Sequence, residues 1–254
     1  VKFTVVARNI LLQNIRHKIL NVLVVFTLLM VLAGLGLTAL SPGAEQRVIL
    51  DTGLAGLEIF GFLVVVFSMA VLNFEETDMR TIWLVLSKPV GRAGFLLGKF
   101  LGLIYTLGLN LLLMSVVLLI IGWIGTVPID QFFPATVILT FFELVIFIAV
   151  AIFFSVISSS VINGLVFSLF AFLIGHMAQY LKLLVKSADP VLRTVVYFFY
   201  YLLPNLEYFN VKDAVYMTGI DFSWIYVVKA ALYGIIYSSF LMLISTAIFR
   251  RREI

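Results

Sequence analysis

Apolar runs long enough to cross a bilayer alternate along this chain with short clusters of charge, proline and glycine. About 20 apolar residues make a membrane-crossing helix, and runs of that order cover about 19–40, 53–73 and 95–122. Residues 135–181 are apolar for too long to be one helix. The Ser158-Ser159-Ser160 cluster with Asn163 divides them into spans at 135–157 and 161–181. A last run, 225–249, stops at Arg250-Arg251-Arg252. Turn chemistry falls in between: Ser41-Pro42-Gly43, a short loop with Glu45, Arg47 and Asp51, and later Pro128, Asp130 and Pro134. The pattern predicts an all-α polytopic membrane protein, one transmembrane domain over 1–254 with six spans.

Three segments outside the spans have patterns of their own. In residues 1–18, Phe3, Val6, Ala7, Ile10 and Leu11 share one helical face, while Arg8, Gln13 and Arg16 lie mostly elsewhere. That spacing predicts an amphipathic helix at the membrane surface, not a cleaved signal, because no small-residue cleavage site follows. In 74–92, Glu75, Glu76 and Asp78 are expected to open a helix, with Met79, Ile82, Trp83 and Leu86 as its apolar face and Pro89 as its end. Segment 182–224 contains VLRTVVYFFYYLLP, whose fourteen residues are too few to span. With Tyr197, Tyr200, Tyr201, Tyr208 and Tyr216 it reads as re-entrant or interfacial helices capping the external face.

Composition fixes the class more firmly. Hydrophobic residues are 63% and charged residues 12% of the chain, against roughly 25% charged in soluble domains. Eleven of the 17 Lys and Arg fall on the side that carries both termini and the 74–99 segment. The excess predicts both termini in the cytoplasm. The net charge of +4 is scattered, so it reports topology and not nucleic-acid binding. With no cysteine, disulfides and thiolate chemistry are excluded.

Catalytic groups are scarce. His17 and His176 are the only histidines, and neither belongs to a metal motif; His176 reads as a packed, hydrogen-bonded residue of the fifth span. There is no GxSxG elbow and no close carboxylate pair within a span. GFLLGKF at 94–100 has only three residues between Gly94 and Gly98 and ends in Phe100, so it fails as a phosphate loop. Gly98 and Gly102 read instead as a close helix contact. The seven methionines form no ladder and read as core. Glu58 and Glu143 lie within spans, where charge is expensive. Two readings stand for them: facing a path or the bundle interior, or reaching the outer interface from near the span ends.

The string EETDMRTIWLVLSKPVGRAGFLLGKFLG then resembles the Glu-x-x-x-(x)-Thr-x-x-x-Leu-x-x-Pro pattern of type-2 ATP-binding-cassette (ABC) exporter permeases. Glu76, Thr81, Leu86, Ser87, Lys88, Pro89, Arg92, Gly98 and Lys99 match it. DTGLAGLEIFG and LLPNLEYFN look like the branch that includes the permease of multi-copper enzyme maturation. The resemblance implies that 74–92 holds a coupling helix docking on a separate ATPase subunit through Glu75, Glu76, Thr77, Arg80 and Thr81. Pro89, Arg92, Gly98 and Lys99 would be its structural motif, and Glu58, Glu143, Pro204 and Asn205 candidate path or gate residues. It further implies two permease copies with two ATPases in the cell inner membrane, the path lined by the second and fifth spans. The chain itself would be no enzyme and hold no metal or cofactor, ATP and Mg being the partner's. Arg80 stands where the family commonly has Gly, and dispersed Met and His without Cys speak against copper transport. An ion-coupled carrier or channel using Glu58 and Glu143, or a membrane anchor or sensor without transport, are the competing readings.

Overall fold

A computed structural model describes residues 2–16, 21–40, 45–78, 91–124, 131–158, 160–177, 193–194, 197, 203–210 and 223–251. Among these the protein is helical, without strands. In chain order the helices are α1 (Lys2–Arg16), α2 (Asn21–Leu40), α3 (Glu45–Asp78), α4 (Arg92–Ile124), α5 (Phe132–Ile157), α6 (Val161–His176) and α7 (Trp224–Arg251). One 3₁₀ turn, Leu206–Phe209, precedes α7. Among the described residues, four helices carry windows long and apolar enough to cross a membrane: Val48–Phe74 of α3, then α4, α5 and α7. The apolar stretches of α2 and α6, Val22–Ala33 and Val161–His176, are shorter.

α5 lies at the centre. Every residue from Glu143 to Ile152 is buried, the mark of a helix enclosed on all sides. Its neighbours are α3, α4, α6 and α7, while α2 packs on α3 and α4, and α1 on α4. Side-chain pairs give the directions. Glu58 and Asn73 of α3 meet partners near Glu143 and Ser155 of α5, so these two helices run the same way. α6 turns back along α5: Gly164 approaches Phe154 and Ser155, and His176 reaches Glu143. α4 opposes α3, with Lys99 at Asn73 and Leu118 at Gly53.

Ser158, in extended conformation, ends α5, and Ser160 precedes α6, so the break between these helices falls where the serines predicted it; Ser159 lies outside the described residues. The Gly98–Gly102 pair is a close helix contact, and its partner is α1. A Cβ on Gly98 would lie 2.6 Å from Val6 Cβ, and one on Gly102 would lie 2.8 Å from Ile10 Cβ. Asn14 Nδ2 donates to Thr106 Oγ1 at 3.0 Å one turn on. Contacts thus follow the same order along both helices, and α1 runs alongside α4.

α3 differs from its sequence reading at both ends. The segment with Glu45, Arg47 and Asp51, expected as a loop, is already helix, and so is the stretch to Asp78. Glu75, Glu76 and Asp78 therefore belong to the long helix α3, and residues 79–90, the rest of the expected short helix, lie outside the described residues. No Gly or Pro interrupts Leu72–Asp78, and buried Asn73 is held by Lys99 and Ser155, so nothing ends the helix there.

Candidate functional site

Polar groups inside these apolar helices are mostly satisfied locally. Ser115, Thr136, Ser245 and Thr246 each donate to a carbonyl four residues back, which removes their need for water. Among the described residues, two groupings are instead built across helices. Glu58 of α3, Glu143 of α5 and His176 at the end of α6 converge so that one donor atom of each lies within 4.8 Å of the others. His176 Nε2 is 2.8 Å from Glu143 Oε1 and 3.5 Å from Glu58 Oε1.

Small residues set this approach. A Cβ on Gly61, one turn from Glu58, would meet Leu144 Cδ1 at 2.7 Å, so its absence lets α3 close on α5 beside Glu143. Gly175 does the same for the 203–210 turn: a Cβ there would meet the Pro204 carbonyl oxygen at 2.8 Å. Pro204, Asn205, Leu206 and Phe209 are buried in the seat so formed. Asn205 N donates to Tyr233 Oη at 3.0 Å, and the Asn205 side chain accepts from Glu207 N at 3.2 Å. Glu207 on this turn is close enough to interact electrostatically with both Glu143 and His176.

One helical turn along lies an aromatic layer. Phe62, Phe147 and Phe172 meet with ring centroids 4.6–4.8 Å apart, and Phe172 also touches the His176 ring at 4.6 Å. Each is four residues from a cluster member on the same helix: Glu58 with Phe62, Glu143 with Phe147, His176 with Phe172. The polar layer thus sits on an apolar floor. Glu143 is buried, whereas the His176 and Glu58 side chains keep 29% and 20% of their surface. His176 Nδ1 is 3.2 Å from the Phe172 carbonyl oxygen; a carbonyl only accepts, so Nδ1 carries the proton and Nε2 faces the carboxylates. Such an arrangement holds a cation or shares a proton.

The second grouping surrounds the start of α4. Arg92 Nη1 donates to the carbonyl oxygens of Phe249 and Arg250 at 3.4 and 3.1 Å, capping α7. Lys99 is 3% exposed, and its Nζ donates to Asn73 Oδ1 at 2.7 Å. Ser155 Oγ reaches the same oxygen at 3.1 Å. Arg92, Gly98 and Lys99 consequently join α4 to α7, α1 and α3, and Asn73 carries the link on to α5.

Of the gate candidates, Glu58 and Glu143 share the cluster, and Pro204 and Asn205 lie in the adjoining turn. His176, which completes the cluster, was missed as a site residue. Of the docking candidates, Glu75, Glu76 and Thr77 are placed by backbone only, as the last turn of α3, while Arg80, Thr81 and Pro89 lie outside the described residues. So do most of 182–224 and His17. No protein-family model matches the chain, and no curated protein matches it. The fold defines a helical membrane protein.

Proposed function

We propose that the chain is the membrane-spanning permease subunit of an ATP-driven exporter of the type-2 ABC class. In this reading α2 to α7 supply six spans, both termini are cytoplasmic, and two copies pair in the cell inner membrane with two ATPase subunits that bring ATP and Mg. One observation carries the reading beyond the sequence resemblance. Arg92, the last residue of the 74–92 segment, and Gly98 and Lys99 beyond it fasten α4 to α7, α1 and α3, and through Asn73 to α5. A displacement of that segment by an ATPase would therefore move the bundle as a body, which is what coupling ATP closure to a path between copies requires.

The test is co-purification with an ATPase subunit followed by reconstitution. Changing Glu76 and Arg80 together, Glu76→Ala with Arg80→Ala, is expected to lower both assembly and ATPase activity. Unaltered assembly and activity would remove the docking assignment. The Glu58–Glu143–His176 cluster favours a second reading, an ion-coupled carrier. That reading requires ion-dependent flux by the isolated chain in proteoliposomes, with no ATPase present.

A further inference from the structure

We propose that Glu58, Glu143 and His176 form a binding site for a divalent transition-metal ion of the zinc type. Neutral imidazole with its proton on Nδ1 turns the Nε2 lone pair towards Glu143. Two acceptors then face each other at 2.8 Å, an arrangement that needs positive charge between them. Glu143 Oε1 is buried and, among the described residues, has no hydrogen-bond partner other than the Nε2 that faces it at 2.8 Å. A metal ion shared between the two atoms supplies the charge they need. Zinc holds imidazole nitrogen and carboxylate oxygen at about 2.0–2.2 Å, so two ligands about 90–110° apart around it lie about 2.9–3.4 Å from each other. The two separations from His176, 2.8 and 3.5 Å, border that range, and all three ligand atoms lie within 4.8 Å of one another, so the two carboxylates would draw together on the ion.

The surroundings fit as well. The Nδ1 contact with the Phe172 carbonyl fixes ring and tautomer, as the outer partner of a metal-bound histidine does. Glu207 adds a third carboxylate nearby, and the Phe62–Phe147–Phe172 layer closes one side to water. The partly exposed side of Glu58 and His176 leaves room for a water or a substrate group as fourth ligand. One nitrogen and two hard oxygens suit Zn²⁺ or Mn²⁺ and not Cu⁺, which prefers sulfur. The ion would staple α3, α5 and α6, three helices otherwise held here by apolar packing. The inference does not rest on the exporter reading: zinc binding is measured on the isolated chain, whatever its partner.

The experiment is zinc titration of the full chain in detergent, purified without a polyhistidine tag. One Zn²⁺ per chain is expected. Glu143→Gln and His176→Gln are each expected to weaken it by more than the roughly 10–100-fold seen when only an outer partner is lost, while His17→Ala leaves it unchanged. Absence of binding by the unaltered chain overturns the proposal, as does equal binding by the two site variants. Should those variants fail to fold, X-ray absorption of zinc on the His17→Ala chain decides. A shell of one imidazole and oxygen ligands upholds the site, and a shell of oxygen alone overturns it.

Discussion

Lys99 illustrates how a single residue is made tolerable in an apolar bundle. Its amine is almost wholly enclosed, and Asn73 supplies an acceptor at 2.7 Å that also takes the Ser155 hydroxyl. Leaving a buried polar group unsatisfied costs about 1–3 kcal/mol, whereas replacing both partners by apolar groups of similar shape is close to neutral. Asn73→Leu alone should therefore lower the thermal midpoint of the purified protein, and Asn73→Leu with Lys99→Met should recover most of the loss. Equal melting of the single and double variants would show that the amine does not depend on Asn73. At the cluster, the same scale explains what the sequence hides. Glu58, Glu143 and His176 each stand four residues from a phenylalanine, a pattern visible in LEIFGF, FELVIF and FLIGH. Their convergence is not visible, because it depends on the register of three helices, set by close approaches such as Gly61 on Leu144 and by side-chain fit across the bundle.

At the level of elements, the docking of α1 is the sharpest case. Gly98, Gly102 and Thr106 lie at successive turns of α4, and Val6, Ala7, Ile10 and Asn14 descend along them. A leucine at 98 would drive its side chain into Val6 and the Phe3 carbonyl, at an overpacking cost of about 1–3 kcal/mol. The chain has no cysteine, so Asn14→Cys with Thr106→Cys gives a clean cross-link, expected in the parent and lost in the Gly98→Leu background. Persistence of the cross-link there would mean that α1 is not seated by these glycines. The sequence shows the small-residue pair on one helix and the amphipathic face on the other, but not that the two meet, since from spacing alone that face reads as lying on the membrane surface. The serine turn between α5 and α6 was legible, since a run of small polar residues interrupts the apolar pattern there. The ends of α3 were not. Charge was read as a boundary at Glu45 and at Glu75, but charged residues with good helix propensity do not stop a helix whose neighbours hold it, and α3 and α4 run to about 50 Å, well beyond the roughly 30 Å hydrocarbon core.

For the whole molecule, the unequal enclosure of the helices bears on assembly. α5 is enclosed by neighbours, whereas α6, among the described residues, packs mainly on α3, α5 and the 3₁₀ turn. It exposes Ile162, Val166, Phe170 and Leu173 at helical spacing, and α3 exposes Ile59 and Phe67. In lipid such a stripe meets acyl chains; in the proposed exporter, where the second and fifth spans line the path between copies, it meets its own counterpart. A twofold contact places residues near the axis opposite themselves, and a disulfide forms only when the two Cα atoms approach within about 7 Å. Phe170→Cys should therefore cross-link copy to copy in membranes under mild oxidation. Ile236→Cys, equally exposed but on α7, should remain monomeric. A cross-link at 236 and none at 170 would move the interface to α7, and the path with it. Cross-linking at neither would leave α6 facing lipid, where its apolar stripe needs no partner, and a pair built on α3 and α6 would have to be abandoned.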